Sequence, residues 1–169
     1  MRVLKLVCVL LFTVSIISCK VNYSFTGASI PEGTSSFQVN YFQNNAALIE
    51  PGIDRDFTQA LQDLILNQTN LELVKSGGDL VYEGEITEYR ISPMTATADN
   101  RAAQNRLTIS VNVRFFDTNN PDDDWEQRFS FFFDYPAGAQ LVGSLKATAQ
   151  EEIFERITQD IFNASLANW

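Results

Sequence analysis

Residues 79–135 contain Leu107-Thr108-Ile109-Ser110-Val111-Asn112-Val113-Arg114-Phe115 and, after a short break, Trp125-Glu126-Gln127-Arg128-Phe129-Ser130-Phe131-Phe132-Phe133-Asp134-Tyr135. In the first run Leu107, Ile109, Val111, Val113 and Phe115 alternate with Arg106, Thr108, Ser110, Asn112 and Arg114. In the second, Trp125, Phe129, Phe131, Phe133 and Tyr135 alternate with Glu126, Arg128, Ser130 and Asp134. Successive side chains of a strand point to opposite faces, so each run predicts a strand with one apolar and one polar side. Leu80, Tyr82 and Ile86 begin the same pattern one strand earlier. A sheet with one apolar face must have that face covered. The segments on either side read as the cover.

Upstream, Phe37, Val39 and Tyr41 alternate with Gln38 and Asn40 and predict a short first strand. Asn44-Asn45 opens a loop that Pro51-Gly52 continues. A helix then begins at the Gly52 region or at Asp54. Ile53, Phe57, Ala60, Leu61, Leu64 and Ile65 follow the spacing of one buried stripe, and Asp54 and Asp56 lie in the first turn, where the helix dipole favours acids. Leu71, Leu73 and Val74 form a candidate extended piece before the turn Ser76-Gly77-Gly78-Asp79. Downstream of Pro136-Ala137-Gly138, residues 140–166 predict a long helix. Leu145, Ala149, Ile153, Ile157 and Ile161 make its stripe, Phe154, Phe162 and Leu166 widen it, and Glu151, Glu152, Glu155, Arg156 and Asp160 cover its outer side. The order β-α-β-β-β-α predicts an α+β two-layer sandwich, with two helices packed on one face of a four-stranded mixed sheet. The first crossover is parallel if its strands are neighbours, and the later strands form an antiparallel meander.

Two connections are read as surface. Residues 92–104, with Pro93 and a run of Thr and Ala, predict an exposed loop. Thr118-Asn119-Asn120-Pro121-Asp122-Asp123-Asp124 predicts a charged hairpin tip, because the spacing lacks the alternating ligands and closing Glu of a calcium loop.

The chain has 169 residues, a length that predicts one domain, and its 13 Phe supply ample core mass. Residues 1–18 have the outline of a lipoprotein signal peptide. Arg2 and Lys5 form a basic start, and the apolar run from Leu6 to Ile17 is shorter than the roughly 20 residues a spanning helix needs. The run ends in Ile16-Ile17-Ser18-Cys19, which resembles a bacterial lipobox and implies cleavage and lipidation at Cys19. Each buried acyl methylene contributes about 0.8 kcal/mol, so several chains together anchor a protein to a bilayer without spanning it. Residues 19–35 then form the lipidated N-terminus and tether, and residues 36–169 the single domain.

The formal net charge is −9, and loss of Arg2 and Lys5 with the leader leaves 10 basic against 21 acidic residues, net −11. This balance argues against nucleic acid as a partner, since binding it relies on a basic surface. The chain has no histidine, which removes His-based triads, His zinc sites and the usual neutral-pH proton shuttle. Its two cysteines are Cys8 and Cys19, so the mature chain keeps one, and no internal disulfide or Cys-rich zinc site is expected.

Three features carry whatever chemistry there is. Glu83 and Glu85 point the same way from one strand on either side of Gly84. This is the arrangement of an acid–base pair, but also of a solvated sheet face, and with no other polar cluster nearby no catalytic residue, metal or cofactor is assigned. Gly84 itself marks either a bulge or a close approach by another backbone. Arg90, Arg101, Arg106 and Arg114 lie on or beside two strands and their connection. Arginine holds phosphate through paired hydrogen bonds, so these four are candidate contacts for a phosphorylated glycolipid head, or else surface ion-pair partners. Phe116 and Phe132 fall on the polar side of their strands, which indicates either a partner or ligand there or a bulge that turns them inward.

Several segments jointly carry a family resemblance. They are Tyr23-Ser24-Phe25-Thr26-Gly27, Tyr41-Phe42-Gln43-Asn44-Asn45-Ala46, Gln68-Thr69-Asn70-Leu71, Gly77-Gly78-Asp79-Leu80, Glu83-Gly84-Glu85-Ile86-Thr87, Asn105-Arg106-Leu107-Thr108-Ile109, Asp160-Ile161-Phe162-Asn163 and Ala167-Asn168-Trp169. Together they resemble the lipopolysaccharide-assembly outer-membrane lipoprotein family, LptE. The resemblance implies a two-helix layer on a four-stranded sheet and a non-enzymatic protein anchored in the inner leaflet of the outer membrane, facing the periplasm. It implies a plug inside the LptD β-barrel of the translocon, which assists assembly of that barrel and helps deliver lipopolysaccharide, a candidate direct ligand, to the outer leaflet. The competing expectation is a free-standing anchored periplasmic lipoprotein that binds a small ligand or lipid.

Overall fold

The computed structural model describes residues 29–94 and 104–167. The leader, Cys19, most of the tether and Arg101 lie outside the described residues. The elements are β1 (Ser36–Val39), β2 (Gln43–Asn44), α1 (Ile53–Gln68), β3 (Glu72–Leu73), β4 (Leu80–Met94), β5 (Gln104–Asp117), a 3₁₀ turn (Pro121–Asp123), β6 (Trp125–Pro136) and α2 (Gly143–Leu166). The class is α+β as expected, but the mixed sheet has six strands rather than four. The order is β3-β1-β4-β5-β6, with β2 also against β4. The two extra strands are two-residue pieces. One falls on the expected extended segment around Leu73, the other on Asn44, where a loop was expected. A two-residue strand is too short to show alternation, so only its pairing reveals it.

The parallel crossover is present: β1 pairs parallel to β4 with Phe37 opposite Leu80, and β4, β5 and β6 form the antiparallel meander. The β4–β5 pairing reaches further than the sequence pattern indicates, to Met94 and back from Gln104, so residues 92–94 and 104 of the expected loop are strand. Alternation does not signal there because Ile91, on the helix side, is itself exposed, while Met94 lies opposite Gln104 on the open face.

The helices supply the cover. Helix α1 buries Ile53, Phe57, Leu61 and Ile65, and α2 buries Ala149, Ile153, Ile157 and Ile161. These pack with Leu80, Tyr82, Ile86 and the inward residues of β5 in one continuous core. The α1 entry turn needs Gly52, whose φ of 84° lies in the left-handed region that side chains disfavour. Helix α2 begins at Gly143, three residues later than the apolar pattern. Among the described residues Thr34 Oγ1 and Trp125 Nε1 are buried without a partner, but other polar groups inside this layer are paired. The Phe42 N–H donates to Thr58 Oγ1 at 3.1 Å, and the Tyr82 hydroxyl lies 2.9 Å from Ser165 Oγ, tying β4 to α2. Burial holds the Tyr82 phenol un-ionised by raising its pKa.

Asp79 ties the entry of the chain to the sheet. Its Oδ2 accepts from the backbone N–H and the hydroxyl of both Ser35 and Ser36, at 2.9–3.1 Å. These bonds, the Ser35 N–H first, hold its carboxyl below the usual range. A depressed folded pKa contributes stability that is present above the unfolded value, about 3.9, and is lost as pH falls through the folded value. We expect the urea midpoint to drop between pH 6 and about pH 3, and to drop less in Asp79→Asn. Equal drops in the two proteins would show that Asp79 carries none of the acid sensitivity.

Candidate functional site: the open sheet face

The face of the sheet away from the helices is a lattice of hydrogen-bonded ion pairs. It exists because the register sets polar residues opposite one another, with Arg114 between Glu83 and Glu126, Ser110 between Glu88 and Ser130, and Arg106 opposite Asp134. Arg114 donates through Nε to Glu83 at 3.0 Å and through Nη1 to Glu85 at 3.4 Å. Asn112 Nδ2 donates to Glu126 at 2.6 Å and to Glu85 at 3.3 Å, and Asn40 Nδ2 reaches Glu83 at 3.1 Å. The Glu83 and Glu85 carboxylates therefore serve as acceptors shared around one guanidinium.

Glu88 is the second centre. Its carboxylate accepts from Arg90 at 2.6 Å, from Arg128 at 2.7 Å and from the Ser110 hydroxyl at 2.8 Å. Arg90 first, then Ser110, hold its pKa down. At the third, Arg106 forms a two-pronged pair with Asp134, at 2.7 and 2.8 Å, which lowers the Asp134 pKa. The Arg106 guanidinium also lies 3.5 Å from the ring centroid of Phe132, a cation–π contact.

Of the four candidate arginines, Arg90, Arg106 and Arg114 all lie on this face, spread along it, each beside its own carboxylate. Arg101 lies outside the described residues. Glu88, Arg128 and Asp134 were not singled out from sequence. The signal for Asp134 was its alternation. None existed for Glu88, because a register shift between Ile86 and Glu88 changes the phase of β4. Phe116 and Phe132 stay on the open face: β5 pairs without a shift with β4 around Phe116, opposite Val81, and with β6 around Phe132, so no bulge turns them inward, and Phe132 is 41 % exposed. For Gly84 the close approach applies and the bulge lies three residues on. The aspartates of the hairpin tip act as turn acceptors. Asp117 Oδ1 takes the Asn119 and Asn120 N–H groups, and Asp124 Oδ1 takes the Asp117 N–H. Among the described residues no three His, Cys, Asp or Glu side chains cluster in a way that would hold a metal.

A helix pair covering one sheet face, with the other face an ion-pair lattice, defines a two-layer α+β domain. The lipopolysaccharide-assembly family LptE matches residues 34–165, and the chain belongs to that family. It is a lipopolysaccharide-assembly lipoprotein. No curated protein matches the sequence. Among solved structures, the hypothetical protein CT253 from Chlamydia trachomatis has the same fold, with a TM-score of 0.56 at 12% identity, covering 80% of this chain and 99% of that one. The rare lipoprotein B from Shewanella oneidensis is also similar, with a TM-score of 0.46 at 12% identity, covering 75% and 89%.

Proposed function

We propose that this lipoprotein is the anchored subunit of a lipopolysaccharide translocon, sitting as a plug inside an LptD-like β-barrel, assisting its assembly and helping deliver lipopolysaccharide to the outer leaflet. The family membership over residues 34–165 carries this reading. The open face is compatible with it physically. The lumen of a large outer-membrane barrel is polar, and a face whose charged groups are hydrogen-bonded to one another is suited to such a lumen. Lipidation at Cys19 would hold the domain at the right depth and raise its concentration near the barrel. Affinity purification of the tagged chain from detergent-solubilised membranes is expected to recover a large β-barrel. Recovery of the chain without one would favour the free-standing anchored lipoprotein instead.

For the anchor, Cys19→Ala is expected to leave the protein soluble in the periplasm. Sedimentation of that variant with outer membrane after a carbonate wash would show that something other than lipid holds it. Arg90, Arg101, Arg106 and Arg114 are proposed as contacts for lipopolysaccharide phosphates, with each paired guanidinium sharing its donors between carboxylate and phosphate. Arg101→Ala combined with Arg106→Ala is expected to weaken lipopolysaccharide binding, and unchanged affinity would remove both from the site.

A further inference from the structure

Strand β4 spans 15 residues and pairs with β5 almost throughout, but its other side is only partly occupied. There β1 pairs with Leu80, Val81 and Tyr82, and β2 pairs with Glu85 and Ile86. Beyond Ile86 no strand lies on that side among the described residues. The direction of the backbone groups follows from two bonds: Asn40 N–H to Tyr82 C=O at 2.8 Å, and Asn45 N–H to Ile86 C=O at 2.9 Å. Before the bulge, the even-numbered residues turn their polar groups outward, away from β5. The one-residue shift at Thr87 reverses the phase. From there Tyr89, Ile91 and Pro93 face outward. Pro93 has no N–H to offer, and an outward position is where a strand tolerates it. The result is a short open edge bearing the N–H and C=O groups of Tyr89 and Ile91.

This edge borders a cleft of about 550 Å³ lined by Ala47, Leu48, Tyr89, Arg90, Ile91 and Arg128. Its two sides differ chemically. Ile91, on the helix side and 42 % exposed, and Leu48, 50 % exposed, give the cleft its apolar lining. On the open-face side, Arg90 and Arg128 share the single carboxylate of Glu88, leaving a local excess of one positive charge in a chain of net charge −9. A strand continuing the line of β2 would send alternate side chains to these two sides.

We propose that the β4 edge at Tyr89 and Ile91 binds an extended segment of another protein by strand addition, with apolar side chains set over Leu48 and Ile91 and acidic ones toward Arg90 and Arg128. A second copy of this chain fits less well. Two-fold pairing of the edges brings Arg90 against Arg90, and the like net charges repel. The site does not depend on the translocon reading and stands or falls separately from recovery of a barrel.

The probe is a short synthetic peptide alternating Val and Glu, with capped ends, added to the full chain in detergent micelles. Amide hydrogen exchange at Tyr89 and Ile91 is expected to slow by about tenfold or more at saturation. The same peptide N-methylated at every residue, which has no N–H to offer on either edge, is expected to leave exchange unchanged. Arg90→Glu with Arg128→Glu, both at exposed positions, is expected to weaken the unmodified peptide by about tenfold. Three results overturn the proposal: unchanged exchange with excess peptide, equal protection by the N-methylated peptide, or protection that appears on raising the protein concentration alone. The last would assign the edge to a second copy.

Discussion

Gly84→Ala is expected to destabilise the protein by about 3 kcal/mol, although alanine is ordinarily tolerated better than glycine inside a strand. Gly84 faces the helices between Tyr82 and Ile86, in the most heavily paired part of β4. A Cβ there would run into the backbone oxygen of Asn112 on β5 and would lie 2.9 Å from Cε1 of Phe42. The first obstacle is main chain held in the ladder, so it cannot turn aside. The second is a fully buried ring, packed edge-on against Phe57 at 5.1 Å between centroids. Relief therefore requires β4 and β5 to separate or the aromatic layer to move. Urea unfolding is the measurement: a lower midpoint with an unchanged slope reports the loss. A cost below about 1 kcal/mol would mean that the approach of β5 is not a constraint on this position.

Phe57→Ala is expected to cost about 3–5 kcal/mol, the range for truncating a buried aromatic side chain. Phe57 is completely buried on α1 and stands between two rings, Phe42 at 5.1 Å and Phe154 of α2 at 5.4 Å. Removing it opens a hole where the loop after β1, helix α1 and helix α2 meet. Its neighbours cannot close in, because Phe42 is held over Gly84 and Phe154 is fixed by its helix. Phe57→Leu refills most of the volume and is expected to lose clearly less. Equal losses for the two variants would indicate that the edge-on ring geometry, rather than volume, is what the site requires.

The two substitutions probe the same junction from opposite sides, and they show where sequence reading stopped. Phe57 was legible because helical spacing put it on the stripe with Ile53, Leu61 and Ile65. Gly84 was legible as an exception inside a strand, but which of two causes applied depended on where β5 runs. Phe42 carried no periodic signal. It follows the first strand, and its burial comes from the turn into β2.

The site was legible to the same depth. Alternation alone assigned Arg106, Arg114, Glu83 and Glu85 to a polar face. Which charge meets which is a matter of register, and register is set by pairing between strands far apart in the chain. Arg106 finds Asp134 across 28 residues, and Arg128 finds Glu88 across 40. The bulge at Thr87 then moves Glu88 and Arg90 to a face that simple counting from Leu80 would not assign to them.

Residue periodicity was sufficient for the element order, the α+β class, the inward stripes of both helices and the polar character of one sheet face, because each of these depends on neighbours within a few positions. Folding in space added the two short strands, the shared carboxylates and the open edge of β4. Those depend on how distant segments align, and a single bulge is enough to invert the alignment without leaving any mark on local composition.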